Sequence, residues 1–123
     1  MQGQHRVAGQ LADLIGFRGS KRANQLRVAA AAHTWGQRGA RINSISPGVI
    51  ATPTGQAELA SSAGGAMRAM ISASAAGRPG TADDIAAAAD FLTGPHATFI
   101  TGTDVLADGG VVAAYRNGRI TAG

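Results

Sequence analysis

Cysteine is absent from the 123 residues, which removes disulfide scaffolds, Cys-ligated zinc and thiol catalysis from consideration. No apolar run approaches the roughly 18 residues that a membrane-spanning helix requires. Residues 1–16 (MQGQHRVAGQLADLIG) lack the apolar centre of a signal peptide, so a cytoplasmic protein without membrane association is expected. Lysine is nearly missing too: one Lys, Lys21, stands beside ten Arg. Aromatic residues number five, and none is interleaved with a basic run in the way that base stacking would need. The net charge of +4 divides unevenly, with +6 up to residue 57 and −2 from residue 58 onward. The basic side chains are scattered, so they describe a solvated, Arg-biased surface and no nucleic-acid partner is expected.

Small residues dominate what is present. There are 27 Ala and 18 Gly, and only 28 apolar residues are larger than alanine. That suffices for one modest domain and not for two, and it leaves a lone monomer marginally stable. A hydrophobic content of 45% argues against global disorder.

The order of elements is read from periodicity and punctuation. Residues 1–16 have no clear period and read as a weakly structured arm. Residues 20–37 (SKRANQLRVAAAAHTWGQ) are rich in helix formers, with Ala23, Leu26 and Ala30 at helical spacing and Gly36 and Gly39 as the stop. Residues 40–46 (ARINSIS) predict a strand broken by Pro47 and Gly48. Residues 54–76 predict one or two short helices around a turn at 61–65 (SSAGG). After the 77–80 turn (GRPG), Thr81 caps a helix whose first turn carries Asp83 and Asp84 and whose apolar face is Ile85, Ala89 and Leu92. Gly94 and Pro95 end that helix. Residues 103–107 (TDVLA) predict a short buried strand closed by Asp108, Gly109 and Gly110, and residues 113–123 form a tail. Helices and strands in this alternation indicate an α/β fold with a parallel sheet and helical crossovers.

Several of these pieces, in this order and spacing, resemble the second half of a short-chain dehydrogenase/reductase. They are Lys21 with its helix, residues 39–53 (GARINSISPGVIATP), residues 77–80 with Asp84-Ile85-Ala86, Phe91-Leu92, Ile100-Thr101-Gly102, and Asp108-Gly109-Gly110. The resemblance covers residues 17–112. It implies a partial Rossmann-like fold, helix-rich with two or three strands of a doubly wound parallel sheet. It also implies an oxidoreductase that acts on an alcohol or carbonyl substrate with NAD or NADP.

The resemblance assigns roles to particular positions. Lys21 stands at the place of a catalytic Lys that lowers the pKa of a nearby phenol and holds the nicotinamide ribose. Pro47 and Gly48 shape a turn at a strand end, where open parallel sheets bind ligands. The backbone of Ile50 would meet the carboxamide, and Thr52 would hydrogen-bond the cofactor. Residues 54–76 match a substrate-covering segment. Asn43, Arg78 and Asp108 are expected to be structural. His5, His33 and His96 show no metal-ligand spacing, so no metal is expected.

Two departures count against catalysis by this chain alone. Four residues before Lys21, where the family places its proton-transferring Tyr, stands Phe17; the single Tyr is Tyr115, in the tail. No strand, Gly-rich turn and helix in succession is present to hold a pyrophosphate. The 123 residues therefore look like part of a larger unit, with an exposed sheet edge and uncovered helix faces expected. Two functions follow: a truncated oxidoreductase inactive by itself, or a non-catalytic interaction module that pairs with itself or with a full-length relative through the Ala-rich helix at 20–37. In the family the equivalent helix packs in the dimer interface.

Overall fold

In the computed structural model, residues 22–120 are described; Lys21, Phe17, His5 and the arm at 1–16 lie outside them, as do residues 121–123. Helix α1 occupies residues 22–37 of this span. It ends in a Schellman arrangement: Ala40 N–H donates to the Trp35 carbonyl and Gly39 N–H to that of Gly36, both at 3.0 Å, with Gly39 at φ +72°. Strand β1 (Ser44–Pro47) follows, then α2 (Pro53–Ala60), a 3₁₀ turn at Ser62–Gly64 and α3 (Gly65–Ala73). After the Gly77–Gly80 turn come α4 (Ala82–Thr93), strand β2 (Asp104–Ala107) and α5 (Val111–Arg116). The two strands pair in parallel, with Ser44 opposite Asp104 and Pro47 opposite Ala107. This is the expected α/β arrangement, with helical crossovers between parallel strands.

The first strand starts later than its sequence predicts and runs through the proline expected to break it. Residues 41–43 are held by side chains and one long-range backbone hydrogen bond in place of a ladder. Asn43 donates to the Ile100 carbonyl (3.0 Å) and accepts from Thr103 N–H (3.2 Å), while Gly102 N–H reaches the Ile42 carbonyl at 2.7 Å. Pro47 is tolerated because alternate residues face β2. Ser44 N–H donates to Thr103 and Gly48 N–H to Ala107, so the nitrogen of Pro47 faces the free edge, where no donor is needed.

Helix α1 turns a different face inward from the one its large apolar residues suggest. Ala23, Leu26 and Ala30 are exposed, whereas Gln25, Val28, Ala31 and Ala32 are partly covered. The reason is steric and polar. The strand face toward α1 carries Ser46, whose hydroxyl accepts from Gln25 Nε2 at 3.4 Å, and a Cβ on Gly102 would fall 2.9 Å from the Ala32 methyl. Only small or hydrogen-bonding side chains fit so close an approach. Helix α4 lies on the sheet's other side, where Ala89 and Leu92 share an open groove with Ile45. Of the predicted α4 face, Leu92 is buried, Ile85 half-buried and Ala89 exposed.

Strand β2 is half-exposed where a buried strand was expected, and Leu106 keeps 42% of its surface open. With two strands and thin helical cover, the sheet is not where the core sits. The core is instead Met70 of α3 with Val111, Ala114 and Ile120, joined by Met67, Ala73 and Tyr115. The segment from residue 113 therefore packs into the interior as far as Ile120 and does not trail away. Among the described residues no helix is long and apolar enough to cross a membrane, and no cluster of His, Asp and Glu could hold a metal ion.

Candidate functional site

The carboxyl end of β1 opens onto a cavity of about 360 Å³. Pro47, Gly48, Ile50 and Thr52 all line it, so four of the positions singled out in the sequence come together. Lys21 and Phe17 lie outside the described residues. The cavity's remaining wall comes from α2 and α3 (Gly55, Glu58 and Met67), from β2 and the turn after it (Leu106 and Asp108), and from Val111 and Val112.

Close approach of two backbones shapes the floor. A Cβ on Gly48 would lie 2.8 Å from both Cα and Cβ of Asp108, so only glycine lets the β1 end pass the β2 end here. Asp108 is itself engaged: its carboxylate accepts from Gly110 N–H and Val112 N–H, each at 2.9 Å, and so ties the 108–110 turn to the start of α5. The structural role expected of Asp108 is this one.

The rim is stitched to the 77–80 turn. Ala51 N–H donates to the Gly80 carbonyl (2.7 Å) and Gly80 N–H to that of Val49 (2.8 Å), forming a parallel bridge at Ile50 and Gly80. The turn is in turn fixed to α4 by a reciprocal capping box. Thr81 Oγ1 accepts from Asp84 N–H at 3.1 Å, and Asp84 accepts from Thr81 N–H at 2.8 Å. Arg78 closes the arrangement with a 2.8 Å ion pair to Asp84. The Arg78 hydrogen bond, followed by the bonds from Thr81, holds the Asp84 carboxyl well below the usual carboxylate range. The GRPG turn and the TADD cap that follows it thus hold the backbone at residues 49–51 in place.

Two residues that line the cavity carry polar groups with capacity to spare. The Ile50 N–H finds no acceptor among the described residues, its neighbours Ala51 and Val49 having taken the bonds to Gly80. Thr52 Oγ1 accepts from Gly55 N–H at 2.9 Å as the N-cap of α2, which leaves its own O–H free to donate.

Residues not singled out from the sequence also matter. Arg41 donates to the carbonyls of Leu92 (2.7 Å), Ile100 (3.1 Å) and Gly94 (3.3 Å), closing the carboxyl end of α4 against the loop before β2. Arg68 donates to the Leu59 carbonyl and to that of Ser61 at 3.2 Å, binding the end of α2 to α3. Glu58 and Met67 reach the cavity from the segment whose position alone was legible. Sequence spacing carries no signal for such roles, because each partner lies in another element.

Comparison with known proteins identifies the family. Residues 6–112 match a family model described as enoyl-(acyl carrier protein) reductase. A short-chain dehydrogenase/reductase of Alternaria brassicicola is 43% identical over 94 residues, which cover 76% of this chain and 34% of that protein. The 3-alpha-hydroxysteroid dehydrogenase/carbonyl reductase of Comamonas testosteroni is 33% identical over 109 residues, covering 89% of this chain and 42% of the relative. Among solved structures, a 4-hydroxyisoleucine dehydrogenase mutant complexed with NADH and succinate superposes with a TM-score of 0.67 at 33% identity, over 77% of this chain and 38% of that one. The chain thus spans about two fifths or less of the length of these proteins. With the family model covering most of its residues and the α/β fold shared, the chain belongs to the short-chain dehydrogenase/reductase family.

Proposed function

We propose that this chain forms the nicotinamide-facing side of the active site of an NAD(P)-dependent oxidoreductase that acts on an alcohol or carbonyl. The observation that carries the proposal is the pair of spare donors, Ile50 N–H and the Thr52 hydroxyl, beside the Pro47-Gly48 backbone on one apolar cavity. Pro47 and Gly48 offer a flat surface to a ring, Ile50 N–H donates to a carboxamide oxygen, and Thr52 donates its hydroxyl proton. The cofactor, when bound, supplies or accepts the hydride. Lys21, by its match to the family motif, holds the ribose through its ammonium. Phe17 stands where the family motif has a Tyr and has no proton to transfer, so the chain by itself does not turn over substrate.

Titration with NADH and NADPH, followed by amide NMR, tests the proposal. Shifts at Gly48, Ile50 and Thr52 are expected at millimolar cofactor, with the chain alone or mixed with a candidate partner chain. No shift under either condition would remove it. The variant Phe17→Tyr is expected to remain without NAD(P)H turnover when the chain is alone, because the described residues contain no Gly-rich strand–turn–helix unit to bind pyrophosphate. Measurable turnover by that variant would show that the hydroxyl was the one missing part.

A second reading is supported by a separate observation. The outward face of α1 carries Ala23, Leu26 and Ala30, with Leu26 57% exposed, and such a smooth apolar stripe permits close helix approach. On this reading the chain is an interaction module that pairs with itself or with a full-length relative. A folded monomer in light scattering at high protein concentration would count directly against self-pairing.

A further inference from the structure

We propose that Asn117 is a site of spontaneous deamidation, and that docking of Ile120 holds the reaction back in the folded chain. The residues concerned end α5. Of the asparagines Asn24, Asn43 and Asn117, only Asn117 precedes a glycine. That pairing is chemically labile, because without a side chain the glycine amide nitrogen approaches the asparagine Cγ unhindered. Asn117 and Gly118 are both exposed, and a Cβ built on Gly118 would meet nothing within 4 Å. The reaction balances with water as its only co-reactant. The Gly118 nitrogen forms a bond to Asn117 Cγ, the Cγ–Nδ2 bond breaks, and ammonia leaves with the proton of the Gly118 N–H. Water then opens the five-membered imide at either carbonyl, giving aspartate or isoaspartate.

Three features of the fold oppose ring closure. Helix α5 ends in a Schellman arrangement, with Arg119 N–H donating to the Ala114 carbonyl at 2.8 Å and Gly118 N–H to that of Tyr115 at 3.1 Å, so the attacking nitrogen is engaged. The leaving amide is held as well, since Asn117 Nδ2 donates to the Ala113 carbonyl at 2.8 Å. The backbone is also turned away from closure. At ψ 17° for Asn117, the Gly118 nitrogen nearly eclipses the Asn117 nitrogen, whereas the ring needs it beside Cβ. Ile120 clamps this arrangement: it is buried with Met70, Val111 and Ala114, just beyond the reactive bond. While Ile120 is docked, the chain from Ala114 onward stays out of the reactive geometry. Once it lifts, only the local bonds of a short helix end remain, so the reaction proceeds through local opening. The product does not fit back. Isoaspartate adds a methylene to the backbone before Ile120, and either product puts a carboxylate at the negative end of α5. Met67 and Val111 belong both to this core and to the wall of the cavity at the β1 end, so the lesion reaches that wall.

The test incubates the full 123-residue chain near neutral pH, folded and in urea, and follows each asparagine by peptide mapping that separates aspartate from isoaspartate. Asn117 is expected to give both products, about tenfold or more faster in urea than in the folded chain, as a reaction limited by local opening requires. Asn24 and Asn43 are expected to stay intact over the same period. Ile120→Ala is expected to raise the rate in buffer toward the rate in urea, with circular dichroism reporting whether the variant is folded. The comparison of the parent chain in buffer and in urea stands without that variant. Aged parent chain is expected to unfold at a lower urea concentration than fresh chain, and Asn117→Gln, whose longer side chain closes a ring slowly, is expected to keep its midpoint on ageing. An Asn117 that survives in urea, or that converts no faster than Asn24 and Asn43, would overturn the site. Equal rates in buffer and urea, or an unchanged rate in a folded Ile120→Ala, would overturn the gate.

Discussion

Asp84 is the residue at which chemistry and architecture coincide most closely. Its carboxylate accepts from Arg78 and from Thr81 N–H, and its own N–H donates to Thr81. The folded-state pKa is depressed, so its contribution to stability is complete above the unfolded value of about 4 and is lost as pH falls below it. Acid titration of the unfolding midpoint is expected to be flatter in Asp84→Asn than in the parent below about pH 4, and high salt should shrink the difference because the pair is exposed. Arg78 stays charged throughout this window, its own pKa raised chiefly by the Asp84 hydrogen bond. A second prediction at this scale concerns Gly48. Its substitution by Ala places a methyl 2.8 Å from the Asp108 backbone, and a loss of about 1–3 kcal/mol in denaturant unfolding is expected. Both residues lie in motifs legible as sequence. The steric reason for Gly48 was not, since Asp108 lies sixty residues further along.

At the scale of elements, caps and stops were read more reliably than faces. Thr81, Gly39 and Gly94 end or begin their helices through bonds to residues within a few positions, so local sequence contains the whole device. The inward face of α1 is different, because Gly102 and Ser46 on distant elements decide how near the helix can come. Strand β1 follows the same rule: its late start reflects Asn43 and Gly102, and its passage through Pro47 reflects which edge is free. Arg41 shows the same limit most clearly, joining three carbonyls of α4 and the following loop from the segment that leads into β1. Arg41→Met keeps the aliphatic stem and removes the donors; a loss of about 1.5–3 kcal/mol is expected, measurable as a lower urea midpoint. Thr81→Ala should cost about 1 kcal/mol by the same measurement, through the cap alone.

For the molecule as a whole, the small number of large apolar side chains predicts a thin interior, and the structure places that interior between α3 and α5. Met70 is 1% exposed and contacts Val111, Ala114 and Ile120. Met70→Ala is expected to cost about 2–5 kcal/mol and, in a domain this lightly packed, to abolish the cooperative transition. Elsewhere several large apolar residues stay uncovered: Leu26, Trp35, Phe91 and Phe99 are exposed on α1, α4 and the loop before β2. If pairing through α1 stabilises the chain, Leu26→Asp should reduce both self-association in sedimentation and the concentration dependence of the melting temperature. A variant unchanged in both would dissociate the exposed stripe from assembly.

Alternation of helices and strands, the local caps and the order of the Lys21, 47–53, 77–80 and 108–110 motifs were determined by sequence, because each depends on neighbours within a turn or two of chain. The likeness to short-chain dehydrogenases was legible for the same reason. Tertiary structure alone decided that Pro47, Gly48, Ile50 and Thr52 share one cavity with Glu58 and Met67. It alone decided which face of α1 meets the sheet, and that Ile120 closes the core. Those outcomes depend on close approach between residues far apart in the chain, where a missing Cβ or a spare N–H acquires meaning only from what lies opposite.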